Sequence, residues 1–147
     1  MQFHGMNEDE ARAVAEKWLP AWSGSRPALL ASFYTPDAVY SDPAVPDGVR
    51  GHDALLAYFT KLLARNPNWV WRHRGSIPMQ DGFLNLWSAS IPVGERTLQV
   101  QGACTVQLRQ GLIYANHVFF DRSEFLKALA AWHLQPDPDG RPTTRCS

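Results

Sequence analysis

A carboxylate at the end of a predicted strand is the first candidate for chemistry in this sequence. Asp42 follows the strand-like stretch 38–41, and Tyr40, two residues earlier, lies on the same face of that strand. A carboxylate among apolar side chains is a better base than one in water, and a neighbouring phenol can position a substrate oxygen. The other interpretation is that Asp42 caps the turn before Pro43 and contacts only solvent.

A second carboxylate, Asp121, follows the last predicted strand. Asp121 could act as an acid or a base, but the segment 121–124 also has the D-x-x-E spacing of a capping box for the final helix. His117 lies on the same strand face as Asp121, roughly 13 Å away, so both could line one cavity. A lone His between apolar neighbours is more often a hydrogen-bonded core residue.

Six Trp, seven Phe and four Tyr make up 12% of the chain, enough to fill one core or to line an aromatic cavity. The five His are scattered, so three or four ligands do not converge, and we predict no metal site. The sequence also lacks a Gly-rich phosphate-binding loop, and we predict no cofactor. A small hydrophobic ligand is expected instead, with Tyr40, Gln101 or His117 as hydrogen-bond donors to an oxyanion. The residues predicted to contact that ligand are Trp18, Trp22, Trp71, His73, Trp87, Gln101 and Phe119.

Composition limits the class of protein. The 147 residues suit one domain, predicted over 1–134, followed by a polar, disordered tail over 135–147. Lys plus Arg and Asp plus Glu number 14 each, and this balance argues against a nucleic-acid-binding surface. Neither an apolar signal core nor a run of 18 apolar residues is present, so a cytoplasmic protein without a membrane segment is expected.

The order of elements predicts an α+β fold. A capping box at Asn7 and Glu10 begins the first helix, and Ser25 is expected to cap a short second one. After the strand at 38–41, the segment 46–48 is predicted as a turn before a third helix. Four strands with hairpin turns and a last helix over 123–132 complete a strongly curved, mostly antiparallel sheet packed against the N-terminal helices.

The predicted strand over residues 96–108 alternates between apolar and polar side chains. Its even-numbered positions from 98 to 108 are mainly apolar, and its odd-numbered positions carry glutamines and Thr105. Because helices cover only one face of such a sheet, the outer face is expected to be covered by a second copy in a homodimer.

Four pieces of sequence carry a resemblance to a known family. They are the run 33–43, the helix entrance 51–55, Trp87, and Gly111-Leu112-Ile113 running ten residues to Asp121. Over residues 8 to 131 the chain resembles the SnoaL-like and ketosteroid-isomerase-like proteins of the nuclear transport factor 2-like superfamily. The resemblance implies a cone-shaped fold and often a homodimer through the outer sheet face.

The resemblance also implies candidate roles. Asp42 matches the general base of ketosteroid isomerases, while Trp18 and Ala103 occupy the places of that family's oxyanion-hole Tyr and protonated Asp. Asp121 matches the base of SnoaL-type polyketide cyclases, and Gln107 stands nearest to their His. The implied activities are isomerase, cyclase or dehydratase chemistry without a cofactor. The alternative is a non-catalytic ligand-binding or protein-interaction module of the same fold.

Overall fold

The computed structural model describes residues 6–133, and the predicted tail over 135–147 lies outside the described residues. Four α-helices are separated by strands, and a 3₁₀ turn, Leu19–Trp22, follows the first helix. The helices are α1 (Glu8–Trp18), α2 (Pro27–Ala31), α3 (His52–Arg65) and α4 (Ser123–His133). The strands are β1 (Tyr34–Asp42), β2 (Val45–Arg50), β3 (Val70–Met79), β4 (Gly82–Val93), β5 (Arg96–Arg109) and β6 (Leu112–Phe120).

The caps of the helices follow local chemistry. The predicted capping box of α1 is present, because Asn7 Oδ1 accepts from the Glu10 amide at 2.8 Å and Glu10 Oε1 accepts from the Asn7 amide at 3.2 Å. The predicted cap of α2 is wrong. Ser25 has a φ of 53°, which is not the extended conformation of an N-cap, and the helix begins at Pro27 after Arg26.

One curved, unclosed sheet of six strands contains all the strands in the order β2-β1-β6-β5-β4-β3. Its neighbours pair antiparallel except β1 and β6, which pair parallel. The α+β class and the mostly antiparallel, strongly curved sheet with helices packed against it are therefore confirmed. Among the described residues, no helix is both long and apolar enough to cross a membrane. The cytoplasmic location stays a prediction.

The turn after β1 differs from the predicted one. Residues 46–48 belong to β2, and the chain reverses at Pro43-Ala44, which joins Asp42 to Val45. The register shifts between Tyr40 and Asp42, so β2 carries extra residues opposite β1. Gly48 accommodates this irregularity with a φ of 90°. The glycine in the sequence therefore indicates a bulge in β2 rather than a turn.

The inner, concave face of the sheet holds the core. Along β4 and β5 the buried side chains alternate, and those of Phe83, Trp87, Cys104 and Val106 are almost fully buried. On the outer face, Phe119 and Ile77 are 59% and 54% exposed.

Candidate functional site

A cavity of about 260 Å³ opens between the inner face of the sheet and helices α1, α3 and α4. Its walls are mainly aromatic and aliphatic, and we call it the aromatic cavity. Such a lining with few polar groups is typical of sites for small apolar molecules. Its aromatic and acidic lining residues are Trp18, Trp22, Tyr40, Asp42, Tyr58, Trp69, Trp71, Trp87, Phe120 and Phe125.

Asp42 lies in the wall of this cavity with 9% of its surface exposed. Its Oδ1 atom accepts hydrogen bonds from the backbone amides of Ala44 at 2.8 Å and Val45 at 3.1 Å. Its Oδ2 atom accepts from the hydroxyls of Tyr40 at 2.9 Å and Tyr58 at 2.8 Å. The carboxylate thus caps the turn with one oxygen and presents the other to the cavity, so it does not contact only solvent, and its role as a base stays a prediction.

The two phenols around Asp42 are held in their protonated form. Burial, followed by the charge of Asp42, raises the pKa of Tyr40 well above its ordinary value. Burial and the hydrogen bond to Asp42 also raise the pKa of Tyr58. Each phenol therefore remains a hydrogen-bond donor across the physiological pH range.

Two elements, β1 and α3, bring this group together. Tyr40 and Asp42 lie two residues apart on β1 and share its inner face. Tyr58 comes from α3, one residue before Phe59, and its half-buried ring contacts that of Tyr40 at 5.7 Å between centroids. Two faces that pack against each other thus supply two donors to one carboxylate oxygen.

Most of the predicted contact residues lie together. The indoles of Trp22 and Trp71 are 5.9 Å apart, and those of Trp71 and Trp87 are 4.6 Å apart. The structure therefore brings six predicted residues to one cavity, namely Trp18, Trp22, Tyr40, Asp42, Trp71 and Trp87.

Three predicted residues lie elsewhere because they are on the other face of their strands. Gln101 is exposed on β5, whereas Cys104 of the same strand lines the cavity. Phe119 is exposed on the outer face, and His117 points its Nδ1 at Ser41 Oγ, 2.7 Å away. Gln101, His117 and Phe119 therefore do not line the aromatic cavity, because neighbouring strand residues point to opposite faces of the sheet.

The other two predicted polar residues have local partners. Asp121 is exposed and accepts hydrogen bonds from the amide and hydroxyl of Ser123, and these bonds lower its pKa. Because α4 begins at Ser123, directly after Arg122, Asp121 binds Ser123 and does not form the predicted capping box with Glu124. His73 is half-buried with Nδ1 2.7 Å from Asn85 Oδ1, and it does not line the cavity.

The positions taken from the resemblance do not rebuild an oxyanion hole. Ala103 pairs with Phe119, on the opposite face from the cavity-lining Cys104. Gln107 donates to Asp81 and Tyr114 instead. Burial raises the pKa of the Cys104 thiol to about 12, so this side chain is a neutral wall residue.

Several residues of the site were not predicted. Tyr58 lies in the apolar stripe of α3, a pattern that indicates packing, although its hydroxyl is a polar tip within that stripe. Arg65 and Arg122 also line the cavity, at the end of α3 and the start of α4. Among residues 6–133, no group of three or more His, Cys, Asp and Glu side chains is placed to hold a metal ion.

Comparison with known proteins gives a family model and several similar folds. The model of the SnoaL-like domain matches residues 15–116. A steroid Δ-isomerase from Nocardioides simplex is 38% identical over 53 residues, which span 36% of this chain and 43% of that enzyme. The matched part is thus less than half the length of this relative.

Two solved structures show the same fold. One is a protein from Catenulispora acidiphila with a ketosteroid isomerase-like fold, solved in complex with trimethylamine. The two structures superpose with a TM-score of 0.70 and 18% sequence identity, over 80% of this chain and 92% of that protein's chain. The other is RV0760c from Mycobacterium tuberculosis in complex with estradiol-17β-hemisuccinate, with a TM-score of 0.62 and 17% identity over 76% of this chain and 93% of its own.

Proposed function

The chain belongs to the SnoaL-like domain family, and we propose that its aromatic cavity binds a small hydrophobic or cyclic molecule and moves a proton next to a carbonyl group of that molecule. The observation that carries this proposal is Asp42, whose carboxylate lies in an apolar wall beside two phenols. The steroid name of one relative and the steroid ligand of RV0760c support a ring-shaped ligand.

The hydrogen bonds of Asp42 define which atom acts as the base. Oδ1 is occupied by two backbone amides, which leaves Oδ2 as the atom that can take a proton. Both Tyr40 and Tyr58 donate to Oδ2, so one of them must turn its hydrogen elsewhere first. Tyr58 is the freer of the two, because it is half-buried whereas Tyr40 is 2% exposed.

A carbonyl oxygen of the ligand offers the Tyr58 hydroxyl a second acceptor, so that its hydrogen can rotate away from Oδ2. When this oxygen accepts the Tyr58 hydroxyl, a lone pair of Oδ2 becomes available for the proton on the adjacent carbon. The electrons of the broken C–H bond then form an enolate, which the same phenol stabilises. Return of the proton from Oδ2 to a different carbon completes an isomerisation, and no cofactor is needed for these steps.

Asp42→Asn tests the base directly. A panel of one- to three-ring β,γ-unsaturated ketones, beginning with 3-cyclohexen-1-one, is incubated with the protein, and the absorbance of the conjugated product is followed. We expect turnover by the wild type and a loss of about a hundredfold or more in Asp42→Asn, because the amide cannot accept the proton. Asp47→Asn, an exposed change on β2, is the matched control. Undiminished turnover in Asp42→Asn would remove this residue from the mechanism.

The alternative function is a binding module without chemistry. It is favoured by one observation, that both oxygens of Asp42 already have their full set of hydrogen-bond donors. Under this alternative the cavity binds aromatic dyes, while every ketone of the panel is left unchanged and Asp42→Asn alters only stability.

We also propose a homodimer through the outer face of the sheet. Phe119 and Ile77 are exposed there, and half-buried Leu84 and Leu86 lie on the same face of β4. A second copy would cover these apolar side chains.

A further inference from the structure

Two arginines line the aromatic cavity where its wall meets solvent. Arg65 is exposed at the last turn of α3, and Arg122 is half-buried immediately before α4. Of the described residues that line the cavity, these are the cationic ones, and Asp42 is the one carboxylate. The described part of the lining therefore has an excess of positive charge at its mouth.

Internal contacts do not account for these charges. The ion pairs found among residues 6–133 join Arg109 to Asp37 and Lys127 to Glu124, and neither includes a cavity arginine. Asp42 receives its four hydrogen bonds from phenols and backbone amides rather than from guanidinium groups. The acidic neighbour Asp121 accepts from Ser123.

The helices explain one arginine at most. Arg65 lies at the C-terminal end of α3, where a cation interacts favourably with the helix dipole. Arg122 lies at the opposite kind of helix end, and its carbonyl accepts the first-turn hydrogen bond from Leu126 at 2.8 Å. A cation is unfavourable at a helix N-terminus, so its half-buried position there needs another explanation.

The two guanidinium groups act on the same part of the cavity. Both Arg65 and Arg122 lower the pKa of Tyr58, against the larger opposing effects of burial and Asp42. Their fields therefore converge near the Tyr58 hydroxyl, next to an apolar interior.

We propose that the ligand is an amphiphilic anion, whose ring occupies the aromatic cavity and whose carboxylate, sulfonate or similar acidic group pairs with Arg65 and Arg122 at the mouth. This inference rests on the proposed binding function and adds the chemical class of the ligand. Guanidinium groups bind such oxyanions through paired, charge-assisted hydrogen bonds.

Two dyes that share one ring system test the inference of an anionic ligand separately from the proposed binding function. N-phenyl-1-naphthylamine is neutral, and 1-anilinonaphthalene-8-sulfonate is the same skeleton with a sulfonate. Fluorescence titration gives the Kd of each dye, and competition between them shows whether they share one site. We expect both to bind, and the preference for the sulfonate dye to weaken as salt is raised.

Charge-removing variants locate the effect. In Arg65→Gln and in Arg122→Gln we expect the sulfonate dye to lose about fivefold in affinity, while the neutral dye is unchanged. Arg122→Lys should retain most of the sulfonate affinity because it keeps the charge. Lys61→Gln makes the same charge change at an exposed position of α3 outside the cavity lining, and it should have no effect.

The outcomes distinguish the two proposals. Failure of the neutral dye to bind would overturn the binding function, and the anion inference with it. Binding of the neutral dye without a preference for the sulfonate, or a preference that survives both glutamine variants, would overturn the anion inference alone. The neutral-dye Kd also reports whether each variant is folded.

Discussion

The hydrogen bond between Tyr40 and Asp42 is expected to contribute measurably to folding as well as to the site. The perturbation is a double-mutant cycle of Tyr40→Phe and Asp42→Ala. Because Tyr40 is 2% exposed, its hydroxyl is poorly accessible to bulk water. The single change Asp42→Ala therefore leaves a buried donor without a partner, and Tyr40→Phe in the same chain removes that penalty.

The structure sets the size of the coupling. A hydrogen bond to a charged group contributes about 1.5–3 kcal/mol, and a buried polar group left unsatisfied costs about 1–3 kcal/mol. We therefore expect the two single changes to be non-additive by about 2 kcal/mol. Tyr58→Phe should couple to Asp42→Ala by less than about 1 kcal/mol, because water can reach the half-buried Tyr58 hydroxyl.

Urea unfolding followed by tryptophan fluorescence measures all the variants, with m-values compared to confirm that the same transition is observed. Additivity of Tyr40→Phe and Asp42→Ala within about 0.5 kcal/mol would refute the reasoning, because it would mean that the bond is absent in solution. Equal coupling for Tyr58 and Tyr40 would refute the part that depends on their difference in burial.

Three further predictions follow from the packing of the cavity wall and the sheet. Folding raises the pKa of the Cys104 thiol from 9.0 to about 12, so the unfolded chain loses that proton first as the pH rises. The free energy of unfolding should therefore fall by about 1.4 kcal/mol per pH unit between these two values. Urea midpoints from pH 8 to 11 measure this fall, and a flat profile would contradict it. Gly102→Ala should destabilise by about 1–3 kcal/mol and shrink the cavity, because a Cβ atom there would clash with the Trp87 ring and lie 2.7 Å from the Phe119 carbonyl oxygen. Unchanged stability and dye binding would refute this prediction. Sedimentation velocity should show a dimer at roughly tens of micromolar protein, and Phe119→Glu should give monomers. A wild-type monomer would count against the proposed interface.

The fold was largely predictable because its signals are local and repeated. Alternating residues along β4 and β5, hairpin turn residues and the capping box at Asn7 each specify one element, and together they specify the α+β class. The strand β2 was missed because Pro46 and Gly48 are typical of turns. In the structure they occupy an irregular hairpin, which the single-residue signals do not distinguish from a turn.

The candidate site was predicted only in part. Asp42, Tyr40 and the four tryptophans were identified because a carboxylate at a strand end and clustered indoles are unusual in sequence. His117, Gln101 and Phe119 were placed incorrectly because the strand ends alone do not fix which face is concave. Tyr58 and the two cavity arginines come from elements distant in sequence from Asp42, and only the packing of α3 and α4 against the sheet brings them to one cavity.

The structural role of Asp42 and its proposed role as a base predict different patterns of sequence variation among related proteins. Its Oδ1 atom holds the Pro43-Ala44 turn, so selection for folding alone would preserve an aspartate here even where no reaction takes place. The half-buried hydroxyl of Tyr58 contributes much less to folding, and a phenylalanine would fill the same space. Retention of tyrosine rather than phenylalanine at position 58 is therefore the better marker of a chain whose cavity still uses its carboxylate.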